Sequence, residues 1–371
     1  MSDTPTARNR CLTIGSAMVD IIATIADRDV ERMTLHNATL SFLLVEQGRK
    51  IEAESIVRSI GGGGVNVAMA LRRLDHSVDV LGKVGEDVDA GRVKKHLDAN
   101  GIGGDLLSIA AGLPTGSAVL IASHDKDAAI YTQRGANTAL TAQDIAAVDF
   151  SRYAHVHIAP LSGESSDNLP LIVARASEAG AFTVLNPGIR QITTRSPHIL
   201  GALSGVDLLA LNVREAGALA PAVMAYNEAC PPRMTAVNAA PGLPFLMRDG
   251  LRVNDSRFSL AWFFTALQDC GARNVLVTNG GDGAYLVSGG AMYHCPVAPA
   301  KVSGTAGAGD AFCATLGEGL AGGLKPERAL IRAALNAASV VAHPDAQTGL
   351  LTAEALAKAE KAAPLKVWSG K

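Results

Sequence analysis

Residues 303–321 read Ser-Gly-Thr-Ala-Gly-Ala-Gly-Asp-Ala-Phe-Cys-Ala-Thr-Leu-Gly-Glu-Gly-Leu-Ala. The first half of this stretch is small and glycine-rich. It leads into a segment in which Phe312, Leu316 and Leu320 recur every four residues, which is the spacing of one helix face. The glycines are therefore predicted at a helix N-terminus, where unpaired backbone N–H groups and the helix dipole can bind an anion such as phosphate.

Asp310 is predicted in the first turn of that helix, beside the anion site. A carboxylate there is poorly placed to hold a phosphate, but it is well placed to take a proton from an attacking hydroxyl, as phosphoryl transfer requires. The same pattern also occurs where an Asp only stabilises a helix start after a glycine turn. This motif alone leaves both interpretations open.

The composition is that of an ordinary globular protein. Of the 371 residues, 48% are hydrophobic and 18% charged, which allows a large core. A net charge of -2 gives no basic surplus for nucleic acid or an anionic membrane. Five scattered cysteines without a Cys-x-x-Cys indicate reduced thiols. With no signal-peptide pattern and no apolar run of membrane-spanning length, the sequence predicts a cytoplasmic protein.

A second glycine cluster, Gly61-Gly62-Gly63-Gly64-Val65-Asn66, opens another predicted helix, in which Val67, Leu71 and Leu74 share one face. Bare backbone lets a ligand approach closely, and the Asn66 side chain both donates and accepts hydrogen bonds. The cluster suits a phosphate or a neutral hydroxylated ligand. Close packing of the glycines against a neighbouring element is the alternative.

Three further groups follow predicted strands. Asp20 comes after the apolar run 11–14, and ligands of open α/β sheets bind beyond the carboxyl ends of strands. Asn212 and Glu215 stand one helical turn apart and can face one magnesium ion, although the same pair fits a helix cap with its partner Glu. Thr278–Gly283 joins a strand end to a glycine turn that suits a nucleotide or an ordinary hairpin.

The arrangement of apolar runs predicts the fold. Runs separated by Ala-rich helical stretches are typical of a parallel sheet covered on both faces. They lie at 156–159, 182–185, 207–211 and 275–278. The β-rich segments 115–123 and 128–133 flank a polar tetrad and predict a hairpin. The proline-rich residues 221–262 are interpreted as an irregular insertion.

Two common nucleotide sites are disfavoured. Gly82-Lys83 is followed by Val84, so it does not form a Walker A sequence. Neither glycine cluster keeps the Gly-x-Gly-x-x-Gly spacing, followed by an acidic residue about 20 positions on, that a nicotinamide site needs.

Together, the two glycine clusters and the Asn-x-x-Glu between them resemble the ribokinase family, also called the PfkB-type carbohydrate kinases. Residues 61–66 resemble its first signature, and 304–310 resemble the second, normally Asp-Thr-x-Gly-Ala-Gly-Asp. The resemblance covers about residues 11–355. It implies one kinase domain at 11–363, with a Rossmann-like α/β core, a mostly parallel central sheet flanked by helices, and a small β-sheet lid. The lid would come from about 21–60 and 115–134.

The resemblance also implies a function and a role for each motif. The chain would transfer the γ-phosphoryl group of ATP to a primary hydroxyl of a sugar, with Asp310 as the base. The N–H groups of Ala306, Gly307, Ala308 and Gly309 would form the anion hole, with Glu215 as the magnesium residue and Asn212 beside the phosphates. The acceptor would contact Asp20, Gly62, Gly63 and Asn66, and the nucleotide would contact Thr278, Gly280, Gly283, Thr305 and Asn336.

Three departures from the family pattern narrow these expectations. Gly304 replaces the Asp that helps to hold potassium in cation-activated relatives, so activation by a monovalent cation is not supported. Gly63 replaces the lysine of ribokinases proper, and Met18 replaces an Asn common in sugar-binding relatives. Ribose specificity is therefore not supported.

Two alternative functions stay open, and a second copy of the chain is an expected partner. An adenosine or other nucleoside kinase shares these motifs, and apolar lid side chains would favour it, whereas a small polar pocket would favour a free sugar. A family member that binds a sugar or nucleotide without catalysis is the rival from another class. A homodimer is expected because many relatives pair through their lids.

Overall fold

A large central sheet with a smaller sheet beside it forms the frame of the protein. The computed structural model describes residues 10–26, 31–34, 41–44, 48, 50–122, 128–227, 242–253 and 256–370. The strands are β1 (Arg10–Ile14), β2 (Met18–Ile25), β3 (Glu31–Thr34), β4 (Ser41–Leu44), β5 (Ala53–Gly61), β6 (Ser77–Val84), β7 (Leu107–Ile109), β8 (Gly116–Ala122), β9 (Ala128–Gln133), β10 (His155–Ile158), β11 (Phe182–Leu185), β12 (Leu208–Asn212), β13 (Leu251–Val253), β14 (Ser256–Phe258), β15 (Asn274–Thr278), β16 (Ala284–Ser288), β17 (Ala291–Cys295) and β18 (Trp368–Gly370). The helices are α1 (Gly63–Arg73), α2 (Val88–Ala99), α3 (Ala142–Ala146), α4 (Leu169–Glu178), α5 (Ile189–Ala202), α6 (Val213–Tyr226), α7 (Phe245–Asp249), α8 (Leu260–Asp269), α9 (Ala308–Ala321), α10 (Pro326–Val340) and α11 (Ala353–Ala362).

The central sheet is mostly parallel, as the apolar runs predicted. Its strand order is β7-β6-β1-β10-β11-β12-β15-β16-β17-β18. Pairing is parallel from β7 through β15 and antiparallel from there to β18. Strand β6 continues to Val84, and within it the backbone of Gly82 pairs with Leu107.

Helices cover both faces of this sheet. On one face α1 and α2 pack over β1 and β6, and α9 and α10 pack over the strands from β11 to β16. On the other face α3 to α8 enclose the largest apolar cluster. No helix of the described residues is both long and apolar enough to span a bilayer.

A crevice forms at the carboxyl end of β1. Its neighbours are β6 on one side and β10 on the other, so the chain changes direction across the sheet at this strand. Open α/β sheets bind ligands at such switch points. The backbone at Gly15 lies against Ala159, which follows β10, and so closes the bottom of the crevice.

The smaller sheet lies over this crevice and is called the lid below. Its order is β5-β2-β8-β9, with β2 and β8 parallel at the centre and antiparallel strands outside. The predicted hairpin is confirmed as β8 and β9, and its polar tetrad lies outside the described residues. Asp20 lies within β2, rather than in a loop, because the chain enters the lid only three residues after β1.

Residues 221–262 contain more regular structure than predicted. Pro221 lies inside α6, and α7 and the antiparallel pair β13 and β14 follow. Leu246, Leu251 and Phe258 pack into the main core, and this burial accounts for the order. Residues 228–241, with Cys230, lie outside the described part. The other four cysteines are free thiols, as predicted.

Two buried histidines in β10 predict an acid-sensitive fold. The rings of His155 and His157 stack 6.2 Å apart, and His157 has no hydrogen-bond partner among the described residues. Burial lowers the pKa of both to about 3. In the unfolded chain each histidine titrates near pH ~6.5. The free energy of unfolding is therefore highest above that pH. It falls as the pH drops toward 3, by up to about 1.4 kcal/mol per pH unit for each histidine.

We therefore expect His157→Leu to flatten the fall in the free energy of unfolding between pH 6.5 and 4, measured by urea titration at several pH values. His198→Leu is the matched control, because the His198 side chain is 42% exposed. An unchanged slope in the His157 variant would contradict the assignment.

Candidate active site

The first glycine cluster lets α1 begin directly against the end of β1. Gly62 caps α1 with φ 92°, and a Cβ there would come within 2.5 Å of the Ser16 carbonyl oxygen. The N–H groups of Gly63 and Gly64 donate to Ser16, at 3.0 Å to Oγ and 3.1 Å to the carbonyl. Gly62 and Gly64 thus serve close packing, the alternative weighed for this cluster.

Gly63 and Gly61 have a different surrounding, because they border the crevice. A Cβ on Gly63 would lie 3.3 Å from Cδ of Pro160 and 3.9 Å from Oδ1 of Asp310. A Cβ on Gly61 would overlap the carboxylate of Asp20. The bare backbone at these two positions brings Asp20, Asp310 and the loop after β10 to one place.

Asp310 lies in the first turn of α9, behind the second glycine loop. Gly307 caps this helix in the left-handed region at φ 73°. The N–H groups of Gly309 and Asp310 donate no hydrogen bond to any described residue, so they are available to an anion. The glycines of the second cluster therefore lie at a helix N-terminus, as the sequence predicted.

Asn66 and Gln347 hold the Asp310 carboxylate in place. Nδ2 of Asn66 donates to Oδ2 of Asp310 at 2.9 Å, and Oδ1 of Asn66 accepts from Nε2 of Gln347 at 3.0 Å. The same Gln347 nitrogen donates to the carbonyl of Ile60 at the end of lid strand β5, at 2.8 Å. On its other side, Oε1 of Gln347 lies 2.9 Å from Nε2 of His96.

The Ile60 carbonyl fixes the direction of this hydrogen-bond chain. A carbonyl can only accept, so Gln347 presents its amide nitrogen to both Ile60 and Asn66. Asn66 must then direct its own nitrogen to Asp310. Asn66 thus bonds Asp310 through its nitrogen and Gln347 through its oxygen, and its contact with the acceptor stays a prediction.

The site concentrates negative charge. Burial raises the pKa of Asp310 to about 6, against the opposing hydrogen bond from Asn66, and the nearby Asp20 charge adds to the rise. Burial likewise raises the pKa of Asp20 to about 6. Burial and, more weakly, the Asp310 charge raise the pKa of Glu215. Glu215 is therefore close enough to Asp310 to feel its charge.

Asn212 and Glu215 form a complete capping box at the start of α6. Oδ1 of Asn212 accepts from the N–H groups of Arg214 at 3.0 Å and Glu215 at 2.9 Å, and Oε2 of Glu215 accepts from the Asn212 N–H at 2.8 Å. The helix-cap interpretation of this motif is thus realised. One protein carboxylate with waters and phosphates is a common setting for Mg²⁺, which leaves Glu215 a candidate to hold this ion.

The remaining predicted nucleotide residues divide into two groups. Thr278 ends β15 beside Asn212, and Gly280 and Gly283 follow in a short turn with φ 48° and 96°. Thr305 is exposed in the loop before α9. Asn336 is 0% exposed, and its amide bonds Thr315 and the Leu351 N–H, so direct contact with a nucleotide is not supported.

Gly304 does not leave room for the aspartate of the family signature. A Cβ at this position would lie 2.9 Å from the carbonyl oxygen of His343 and 3.2 Å from Cα of Pro344. Both atoms belong to backbone, which yields less readily than a side chain. The backbone of His343 and Pro344 therefore leaves no space at position 304 for the cation-binding aspartate of the signature.

Comparison with known proteins identifies the family. The sequence profile of the pfkB family carbohydrate kinases matches residues 9–230 and 254–353. The chain belongs to this family. This match confirms the resemblance found in the glycine clusters. A pfkB family carbohydrate kinase is a phosphotransferase with an alcohol group as acceptor.

Individual relatives agree with this placement of the pfkB kinase. It is 26% identical, over 94% of its length, to a bifunctional ribokinase/ribose-5-phosphate isomerase A of Fructilactobacillus sanfranciscensis, of which the match spans 55%. Its fold superposes on Arabidopsis thaliana ribokinase with ribose and ATP at TM-score 0.68, with 20% identity and 95% and 99% of the two chains covered. A Burkholderia thailandensis nucleoside kinase with inosine gives TM-score 0.69, at 18% identity and 95% and 98% coverage.

Sequence reasoning missed Gln347 and Arg134. Gln347 lies 281 residues from Asn66, in a stretch without a motif. Arg134 directly follows β9, and its Nη1 donates to Oγ of Ser162 at 2.7 Å. Neither residue carries a local signal, because the fold alone supplies its hydrogen-bond partner.

We expect Gln347→Leu to lower kcat about tenfold, because Asn66 loses the donor that orients its amide and so holds Asp310 less firmly. The KM for ATP should change little. The acidic limb of the pH profile should move to higher pH, since Asp310 then has a weaker donor for its charged form.

Gln143→Leu on the exposed surface of α3 is the matched control. Steady-state kinetics at several pH values, with melting temperatures for both variants, make the comparison. Wild-type kcat with an unshifted pH limb in the Gln347 variant would show that the hydrogen-bond chain does not position the carboxylate.

Proposed function

We propose that this pfkB kinase transfers the γ-phosphoryl group of ATP to a primary hydroxyl of a sugar, with Asp310 as general base. The observation that carries the proposal is the Asp310 carboxylate, fixed by Asn66 at 2.9 Å beside the unpaired N–H groups of the α9 N-terminus. This arrangement supports the proposal, because in-line transfer to a hydroxyl requires a base next to an anion cradle.

The raised pKa of Asp310 suits the base. A carboxylate with a pKa of about 6 is ionised at neutral pH and accepts a proton more readily than an ordinary aspartate. Its free oxygen, Oδ1, faces Gly63, where the acceptor hydroxyl would lie. Asp20, above Gly61, would accept a hydrogen bond from another hydroxyl of the same acceptor.

During transfer, the unpaired N–H groups of Gly309 and Asp310, together with those of Ala306 and Gly307, would donate to the oxygens of the phosphoryl group. Glu215 would hold Mg²⁺, which would supply positive charge against the phosphates. Thr278, Gly280, Gly283 and Thr305 would line the nucleotide. The lid would exclude water, a competing acceptor for the phosphoryl group.

A nucleoside acceptor is the second candidate, and one observation favours it. The lid face that carries Asp20 also carries the buried apolar cluster of Met18, Ile22, Ala118 and Leu120. Such a surface suits a nucleobase better than the hydroxyls of a free sugar.

An ADP-release assay with ATP, Mg²⁺ and a panel of pentoses, hexoses and nucleosides, each with and without potassium, tests this function. An acceptor-dependent rate that does not respond to potassium is the expected result. Folded protein that binds ATP but releases no ADP with any acceptor would favour a binding protein without catalysis.

A homodimer through the lid is proposed as well. The face opposite Asp20 exposes Ile56, Val119 and Tyr131, at 67%, 38% and 65%. Alternate residues of paired strands share a face, so these side chains form one apolar surface. Sedimentation velocity should give a dimer for the wild type and a monomer for Tyr131→Asp.

A further inference from the structure

Residues 279–283, called the nucleotide turn below, follow β15 and are held through Asp282. Oδ2 of Asp282 accepts from Oη of Tyr285 at 2.6 Å and from Nδ2 of Asn279 at 3.1 Å. The Asp282 carbonyl oxygen lies 2.7 Å from Nε2 of His294. This nitrogen must carry a proton, because a carbonyl only accepts. One residue of the turn therefore receives three side-chain hydrogen bonds.

The outer side of the nucleotide turn is bare. Gly280 and Gly281 are exposed, and no described atom lies within 4 Å of a Cβ built on either of them. The backbone closes on itself behind them, since the Asn279 N–H donates to the Gly283 carbonyl at 2.8 Å. The turn thus offers glycine backbone to a ligand on one side, while the Asp282 side chain fixes it from the other.

The hydroxyl of Tyr285 joins the nucleotide turn to α7. Tyr285 lies in β16 and is 0% exposed. Its Oη accepts from the N–H of Leu246, in the first turn of α7, at 2.9 Å. Since an N–H only donates, the hydroxyl must give its single proton to Asp282. The direction of this bridge, from Leu246 through Tyr285 to Asp282, is therefore fixed.

Helix α7 belongs to the stretch 221–262, for which no motif indicates a role. Leu246 is 3% exposed and packs in the main apolar cluster together with Leu251 of β13. The backbone N–H at the start of the bridge is therefore held by the core of the protein. A hydroxyl oriented in this way gives a strong hydrogen bond to a carboxylate, because the acceptor is charged.

We propose that Tyr285 is a positioning residue for ATP binding, which holds the nucleotide turn through Asp282 and is itself anchored by α7. This inference rests on the proposed kinase function, which places Gly280 beside the nucleotide. Because Tyr285 is fully buried, it acts through Asp282 rather than by contact with ATP. The stretch around α7 then serves the nucleotide site as well as the core.

Tyr285→Phe tests the bridge, because it removes the hydroxyl and keeps the ring. We expect the Kd for ATP with Mg²⁺, measured by calorimetry, to rise about tenfold, as for the loss of one hydrogen bond to a charged group. The contact serves ground state and transition state alike, so kcat at saturating ATP should stay within about threefold. The KM for the acceptor should not change.

Tyr153→Phe is the matched control. Tyr153 is 4% exposed, and its Oη donates to Oδ2 of Asp79 at 2.7 Å, so the variant loses the same kind of hydrogen bond. Tyr153 comes just before β10 and so lies at the amino end of the parallel strands, whereas the nucleotide turn follows β15 at the carboxyl end. Both variants should lower the melting temperature, but only Tyr285→Phe should weaken ATP binding.

Asp282→Ala breaks the bridge from the other side, at a half-buried position outside the core. It should raise the Kd for ATP at least as much as Tyr285→Phe. The double variant should bind ATP no more weakly than Asp282→Ala alone, because both changes interrupt one bridge.

The outcomes separate the bridge from the kinase function. An ATP Kd that Tyr285→Phe leaves unchanged, or that Tyr153→Phe raises equally, overturns the positioning role and leaves the kinase intact. Additive effects in the double variant overturn it as well, since Tyr285 would then act by another route. Wild-type protein that binds no ATP and releases no ADP with any acceptor defeats the kinase function itself, and the positioning role with it.

Discussion

Asp310→Asn should lower kcat by about 10²- to 10⁴-fold, the usual contribution of a positioned general base. The amide has nearly the shape of the carboxylate, and its oxygen can still accept from Nδ2 of Asn66, which lies 2.9 Å from Oδ2 of Asp310. Fold and substrate binding should therefore survive while proton removal fails. Initial rates of ADP release, with ATP affinity measured by calorimetry, provide the comparison.

Asp167→Asn is the matched control, because Asp167 pairs with Arg195 on the surface, far along the chain from the glycine loops. The pH profile of the wild type gives an independent check. Since the pKa of Asp310 is about 6, kcat/KM should fall about tenfold per pH unit below that value, as the base becomes protonated. Turnover within tenfold of wild type in the Asn variant would remove Asp310 from the role of base.

The two glycine clusters show what local sequence can predict. A strand, a glycine loop and a helix face are each encoded within about a dozen residues by apolar spacing and by the absence of side chains. Both helix starts therefore lie where the sequence placed them. Which glycine serves packing and which faces the ligand depends on the neighbouring strand, so Gly62 and Gly63 could not be distinguished in advance.

The polar residues show the limit of such reasoning. Asn66 and Asn336 looked alike as ligand contacts, but Asn66 positions a carboxylate and Asn336 is buried between helices. Their partners, Gln347 and Thr315, are supplied by tertiary structure, 281 and 21 residues away. An amide's role depends on what it meets, and a single sequence does not contain that information.

Gly307→Ala should reduce kcat by about 10²-fold or more, because it displaces the loop proposed to form the anion cradle. At φ 73° an alanine costs about 1–2 kcal/mol in the left-handed region. Its Cβ would also lie 2.7 Å from Cα of Ala346, so the backbone of the loop must shift. Donors moved by even a fraction of an ångström no longer meet the transferring phosphoryl group.

Gly323→Ala separates the conformational cost from the loss of the cradle. Gly323 has nearly the same φ, 77°, lies just beyond the other end of α9, and has nothing within 4 Å of its Cβ position. Both variants should lower the melting temperature, but only the Gly307 variant should lose turnover, with ATP binding weakened as well. Equal kcat values for the two would mean that the loop does not hold the phosphoryl group. The helix N-terminus would then contribute to folding alone, and the proposed transfer chemistry would need another source of positive potential.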